Sequence, residues 1–378
     1  MLFRAVGLLA LLPCLVVALM PEGRVFSSSQ RRPSTELFAI GVLARKAKEA
    51  SVRKLKEDIL KSEESPVALL LKEAAEGSLA REAGSEVYDK LTKTKALQVM
   101  CEYHRKTLST LRANNVAEYE IPPLSMVSSE CRAAGAAVLS LNMDPMTGGC
   151  SENDFAAAVK EQSLAKNDFP GSLPVLWSDV IVDEVQLAMA AVNKAKCVTL
   201  HADALVGDSL AILLEKAQKV YGLEALVILP KNNDDTDDVY LEKLSALVTA
   251  GAKMILMNGF GFPEVDLARK AVAKLAELSK SDEKIALVAR VDAEDNNGLA
   301  EAELAWKLRD VGLDAVYISD VLFKFGHFSG RLFASSPDSI TSVIKAMRSK
   351  ASSNFARASG AFSGKGEGAK EYLGDLLM

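Results

Sequence analysis

Cysteine is scarce in this chain, with five in 378 residues. Cys14 lies in an N-terminal apolar run, and Cys101, Cys131, Cys150 and Cys197 show no CxxC spacing. That excludes a disulfide-stapled secreted scaffold and gives no zinc site, so buried free thiols are expected. An excess of one charge is also missing: 45 Lys+Arg stand against 50 Asp+Glu, a formal net charge of -5. A balance so near neutrality offers no basic footprint for nucleic acid. Long hydrophobic runs are absent except at the extreme N-terminus. What remains, 49% hydrophobic and 25% charged, is ordinary globular composition. The length suits one large domain of about 250 residues with extensions, or two smaller ones.

The exceptional run is Ala5–Met20, behind the basic start Met1-Leu-Phe-Arg4 and broken by Pro13. A spanning helix needs about 20 apolar residues, so a secretory signal fits better than a membrane anchor. Arg24–Ser34 is rich in Ser and Arg and has no acidic residue, which reads as a transit peptide. Signal followed by transit stretch is the expected leader, residues 1–36, of a protein sent through the secretory route to a complex plastid; the plain secretory pathway is the alternative. No stable membrane span is expected in the mature chain.

From residue 98 onward one rhythm repeats. Gln98–His104, Ala136–Met143, Pro174–Val180, Cys197–Asp203, Glu224–Pro230, Met254–Phe260, Ile285–Val291 and Ala315–Val321 are short apolar runs, continuous rather than alternating. Parallel strands buried on both faces read this way. Between them lie segments of helical spacing, such as Leu241, Leu244, Leu247 and Val248. The acidic run Asp234–Asp238 precedes that stripe and suits a helix N-terminus better than a metal. Eight strand–helix units predict an α/β fold, a (β/α)8 TIM barrel. The rival, an open doubly wound sheet, needs a Gly-rich phosphate turn after an early strand, and Glu102–Ser109 contains no glycine.

The barrel domain is expected over 37–347. An extra N-terminal helix, Leu37–Leu60, presents Ile40, Leu43, Ala44 and Ala47 on one face and is expected across the barrel bottom. Residues 348–378 turn to Ser, Ala, Gly and Lys and predict a flexible tail. Phe355, Phe362, Tyr372, Leu373, Leu376 and Leu377 are spaced along it, and the expectation is either anchors for a protein partner or a frayed terminus with no role.

Several segments resemble one known family. Pro174-Val-Leu-Trp-Ser-Asp-Val-Ile-Val-Asp183, followed by Gln186, and Ala134-Gly-Ala-Ala-Val-Leu-Ser-Leu-Asn-Met-Asp144 are similar to two of its strand motifs. Ala44-Arg45-Lys46, Glu224-Ala-Leu-Val227 and Gly312-Leu-Asp-Ala-Val316 also fit. The family is indole-3-glycerol phosphate synthase, a (β/α)8 lyase of tryptophan biosynthesis, and the resemblance spans about residues 37–345. It implies ring closure, decarboxylation and dehydration of an anilino-deoxyribulose phosphate. Such a reaction needs a general acid, a carboxylate base and anion sites at the strand C-termini.

Carried onto this chain, the resemblance places the family's catalytic glutamate at Glu102 and turns the neighbouring lysine into His104. The catalytic lysine of strand 3 falls on Ser178, and the second carboxylate, on strand 5, falls on Ile228. Asn258 is kept on strand 6 while its arginine is lost. Arg290 stands on the strand-7 glutamate, Asp292 on the phosphate-binding glycine, and Ser319-Asp320 replace the loop after strand 8. Site residues Glu102, His104, Ser178, Asn258 and Arg290 are thus family positions that are mostly substituted. Glu102 and His104, two apart on one strand, would share a face and could work as base and acid; a neutral ion-pair network is the alternative. His201 is expected to be a satisfied core histidine.

Two classes of function follow. One is a non-catalytic barrel serving as a plastid scaffold or binding subunit, with a protein partner on the tail and room for a small anionic ligand at the mouth. The other is a divergent synthase or related small-molecule lyase. No cofactor and no metal are expected in either. As a test of the leader, native mature protein should begin between Met20 and Leu37 on N-terminal sequencing; an intact Met1 recovered from membranes would mean an anchor.

Overall fold

The computed structural model describes residues 42–349 apart from 63, 95, 107–120, 167–168, 206, 233, 260–263, 279–283, 294–298 and 328–338. The predicted leader, residues 37–41 of the predicted helix, and the tail beyond 349 lie outside the described residues.

Eight parallel strands close into one barrel in sequence order. They are β1 (Gln98–Tyr103), β2 (Val138–Asn142), β3 (Val175–Ser178), β4 (Cys197–His201), β5 (Glu224–Pro230), β6 (Met254–Asn258), β7 (Ala286–Val291) and β8 (Ala315–Ile318). Each falls within its predicted run. The second, third and eighth are each shorter than predicted by three residues, the eighth because Asp320 already opens the helix Asp320–His327. The acidic run near 234 does sit at a helix start: Thr236 accepts from the Val239 N–H, and Asp237 and Asp238 fill the first turn of Asp237–Thr249.

Both strand faces are buried, which is why the runs are continuous. Outward positions such as Val99, Leu139, Trp177 and Leu200 pack beneath the surrounding helices. Inward, the lower positions are apolar: Met100, Val138, Leu176, Cys197, Leu226, Met254, Ala286 and Ala315. One step of two residues higher, the interior turns polar at Glu102, Ser140, Ser178 and Tyr317, while Ile228, Leu256 and Val288 stay apolar; on β7 the polar residue, Arg290, comes one step higher still.

Among the described residues, three helices precede the barrel. α1 is Val42–Leu60, α2 is Pro66–Ala75 and α3 is Glu86–Thr92. The expectation that α1 lies across the bottom is overturned. Its Lys48 reaches Asp144 and Asp179 and its Lys56 reaches Asp183, all just past the C-terminal ends of β2 and β3. Of the predicted apolar face only the side chain of Ala47 is described, and it is exposed; among the described residues the docked side carries Lys48, Val52, Lys56 and Ile59. Ammonium groups supply what a short apolar stripe would have supplied.

The bottom is closed instead by α3. Val87 and Leu91, fully buried, plug the lower interior beneath Met100 and Leu226. Glu224, the first residue of β5, accepts from the backbone N–H of Val87 at 2.7 Å and of Tyr88 at 2.8 Å. Those donors favour the carboxylate, but burial outweighs them and lifts Glu224 to about 7. A folded-state value above the unfolded one means that the proton stabilises the fold. This contribution is complete below the unfolded value near 4.5 and fades as pH rises through 7. The stability advantage of the parent over Glu224→Gln should therefore shrink by roughly 2–3 kcal/mol between pH 4.5 and 8 in urea titrations, at about 1.4 kcal/mol per pKa unit. An advantage that grows with pH would mean the ionised form is the stabilising one.

Candidate functional site at the barrel mouth

The polar inner layer opens into a cavity of about 170 Å³ at the C-terminal end of the strands. Glu102, His104, Ser178, Asn258 and Arg290 all line it, so the structure brings the five predicted site residues together. Strand register explains how. Glu102 on β1 stands beside Ser140 on β2, and Tyr317 on β8 pairs with Arg290 on β7.

These groups are bound to one another. One carboxylate oxygen of Glu102 accepts from Tyr317 Oη at 2.9 Å and from Ser178 Oγ at 3.2 Å. The other lies 3.8 Å from the Arg290 guanidinium, which also gives its Nε–H to Asp292 at 2.8 Å and sits over the Tyr317 ring. Tyr317 Oη is within 2.9 Å of Ser140 Oγ as well. Burial alone would lower Arg290, but Asp292 and Glu102 overcome it and hold the guanidinium above its ordinary value. Asp292 is pushed up, because burial exceeds the pull of Arg290.

His104 belongs to a second group. Its Nδ1 lies 3.0 Å from Ser319 Oγ, its Nε2 is 3.2 Å from Asp320 Oδ1 in an ion-pair contact not aligned as a hydrogen bond, and Phe323 packs edge-on at 5.1 Å. Glu102 and His104 share a face as expected, yet each is turned to separate partners. As drawn, they do not form one acid–base pair.

A third group closes the rim on the β2–β3 side. Lys48 Nζ lies 2.9 Å from Asp144 and 2.5 Å from Asp179. Thr147 donates to Asp144 through both N–H and Oγ, and Gln186 gives an N–H to Asp179. Burial would raise Asp144, but Lys48 and Thr147 hold it below the usual carboxylate range. For the deeper Asp179 burial prevails and the value rises. Gly148 lets this loop fold back: a Cβ there would stand 2.1 Å from the Asn142 carbonyl, so no larger residue fits. Its own carbonyl accepts from the Arg105 N–H at 2.7 Å and ties the β1 and β2 rims together.

His201 departs from expectation. It lines the cavity, its Nδ1 has no hydrogen-bond partner, and Asp203 is 4.0 Å away. Burial lowers its pKa despite Asp203. Sequence reasoning missed Tyr317 and Lys48. The first was legible from the two-residue step along β8, inward at Ala315 and again at Tyr317. Nothing local pointed to the second, which comes from 96 residues before Asp144.

A closed eight-stranded parallel barrel, apolar below and polar at its C-terminal mouth, places this chain among the (β/α)8 barrel proteins. Comparison narrows that class. The indole-3-glycerol phosphate synthase of Aliarcobacter butzleri (strain RM4018) is 25% identical over 271 residues, covering 71% of this chain and 90% of that protein. Those of Lachnoclostridium phytofermentans and Ruminiclostridium cellulolyticum are 22% and 26% identical over 272 and 248 residues, covering 72% and 65% of this chain. No family model matches the chain. Together with the barrel, these matches show a (β/α)8 protein with distant similarity to indole-3-glycerol phosphate synthases.

Arg290 is the cation on which the central group depends. Arg290→Met should lower unfolding free energy by about 3–5 kcal/mol, the usual effect of stripping a buried charge of its partner. Chemical denaturation at pH 7 measures this, and a change under 1 kcal/mol would show that Glu102 and Asp292 are solvated without it.

Proposed function

We propose that this barrel does not run the synthase reaction and serves as a non-catalytic, binding member of the family in a plastid. The observation that carries this reading is the pair of inward positions Ser178 and Ile228. Both line the mouth, at the places where the resemblance requires an ammonium acid and a second carboxylate. A serine hydroxyl is a far weaker acid than a tuned ammonium, and a butyl side chain transfers no proton. Glu102, the surviving carboxylate, is occupied by Tyr317, Ser178 and Arg290. Each missing acid or base is worth about 10²–10⁴-fold in rate, and the two losses fall in one site.

A divergent synthase is the second reading, favoured by Glu102 and Asn258, which both remain at the mouth. The plastid assignment rests on the signal and transit composition of residues 1–36. The partner assignment rests on the anchors spaced through Ala351–Met378.

The deciding experiment offers the anilino-deoxyribulose phosphate to purified protein and follows indole fluorescence. No turnover above background is expected. Ser178→Lys should remain inactive, because Ile228 still lacks a carboxylate and Asp292 stays at the phosphate end. Turnover by the parent within about 100-fold of a family synthase would overturn the proposal, since even one missing group removes that much.

A further inference from the structure

We propose that the barrel mouth is a receptor for a small organic cation, a primary ammonium on a short apolar body, and not for an anion. The inference deepens the binding reading above and rests on it, because it takes the mouth as a ligand site.

The first ground is charge. Among the described residues, each buried cation at the mouth is shared by two carboxylates: Lys48 by Asp144 and Asp179, and Arg290 by Asp292 and Glu102. Four carboxylates against two cations leave two negative charges unmatched. Lys106 also lines the cavity, with its ammonium donating to the Pro145 carbonyl, and Asp320 lies on the opposite side beside His104. Adding both leaves the balance unchanged with His104 neutral, and His104 protonated would still leave it negative. A phosphate dianion entering this cavity is opposed; a monocation is drawn in.

The second ground is independent of charge. Asn258, 4% exposed, faces inward on β6 one step above Leu256 and lines the same cavity. Its Oδ1 is buried and has no hydrogen-bond partner. A buried acceptor left unmatched is rare and unfavourable, and the group that satisfies it must be a donor. An ammonium brings three N–H donors and no acceptor, whereas an ionised carboxylate brings acceptors alone and phosphate is mostly acceptor.

The shape supplies the rest of the ligand. Ile228 and Leu256 form an apolar wall of the cavity, adjacent through the β5–β6 register. A hydrocarbon body can lie there while the nitrogen reaches the carboxylates. At about 170 Å³ the space is below the roughly 300–1,000 Å³ of drug-sized pockets, so the ligand is a small one. Ile228 thus acquires a use: a carboxylate at its position would have removed the wall.

The test uses the full chain and benzylammonium chloride as probe, titrated calorimetrically at pH 7.5. Benzyl alcohol is the neutral isostere, inorganic phosphate the anion, and sodium chloride the ionic-strength control. Benzylammonium is expected to bind at least 10-fold more tightly than benzyl alcohol and to raise the melting temperature, while phosphate gives no saturable heat. Asn258→Leu should weaken the amine at least 10-fold. Asn258→Asp, which offers only acceptors and adds negative charge, should tighten it about 10-fold. Equal binding of amine and alcohol, saturable phosphate binding, or an aspartate variant no tighter than the parent would each overturn the inference. Should the leucine variant fail to fold, the aspartate variant decides alone. Synthase turnover together with these amine results would defeat the non-catalytic reading only, and absence of both would defeat this one only.

Discussion

A guanidinium inside the barrel holds the upper half of this structure together. Arg290 is the cation shared by Glu102 and Asp292, and through Glu102 it orders Tyr317, Ser178 and Ser140. Buried ion pairs seldom add net stability over well-packed hydrocarbon, but breaking one is severe. Once arginine stands on β7, therefore, the carboxylates around it are no longer free to drift singly. The same bonds that keep the interior satisfied engage one oxygen of Glu102 with two hydroxyls and set the other against Arg290.

Lys48 plays the corresponding part at the rim. In most globular helices a stripe of apolar side chains fixes the docking. Here α1 docks mainly through ammonium groups, with Lys48 clasped between Asp144 and Asp179 and Lys56 on Asp183. Asp183 is also the N-cap of Glu184–Val192, and Gln186 in that cap reaches back to Asp179. One run of sequence, Asp179 to Gln186, thus ends a strand, starts a helix and receives α1. Its resemblance to the synthase motif is preserved for structural reasons that hold whether or not the reaction does.

The barrel was legible because its signal is repeated eight times. Each strand is buried on both faces, so composition alone marks it, and an error at one strand end leaves the count unchanged. The site residues were legible as positions, since the two-residue period of a strand fixes which side chains share the interior: Glu102 with His104, Arg290 with Asp292. Their partners were not. Whether Glu102 meets His104 or Tyr317 depends on the stagger between β1 and β8, and no local pattern encodes that. The placement of α1 failed for a related reason. Its lysines look like a solvated face until the carboxylates they meet, 96 and 131 residues away, are known.

The two ends of the barrel divide the labour in a way that makes such divergence tolerable. Below, Val87 and Leu91 of α3 seal a layer of Met100, Leu176, Leu226 and Met254, and the Glu224 carboxylate caps α3 through two backbone donors. Nothing in that layer touches the mouth's chemistry, so it fixes stability by hydrophobic burial whatever stands above. The layer above has one requirement of its own, that each polar group be satisfied. Tyr317 and Arg290 meet it for Glu102, and Ser319 and Asp320 give His104 its neighbours. That internal accounting fails at His201 Nδ1 and again at Asn258, whose Oδ1 is an acceptor left over in a cavity walled by Ile228 and Leu256. A site kept only for packing would be expected to silence that atom as it has silenced Glu102. The open acceptor beside an acidic network is the feature on which the binding proposal for this mouth rests.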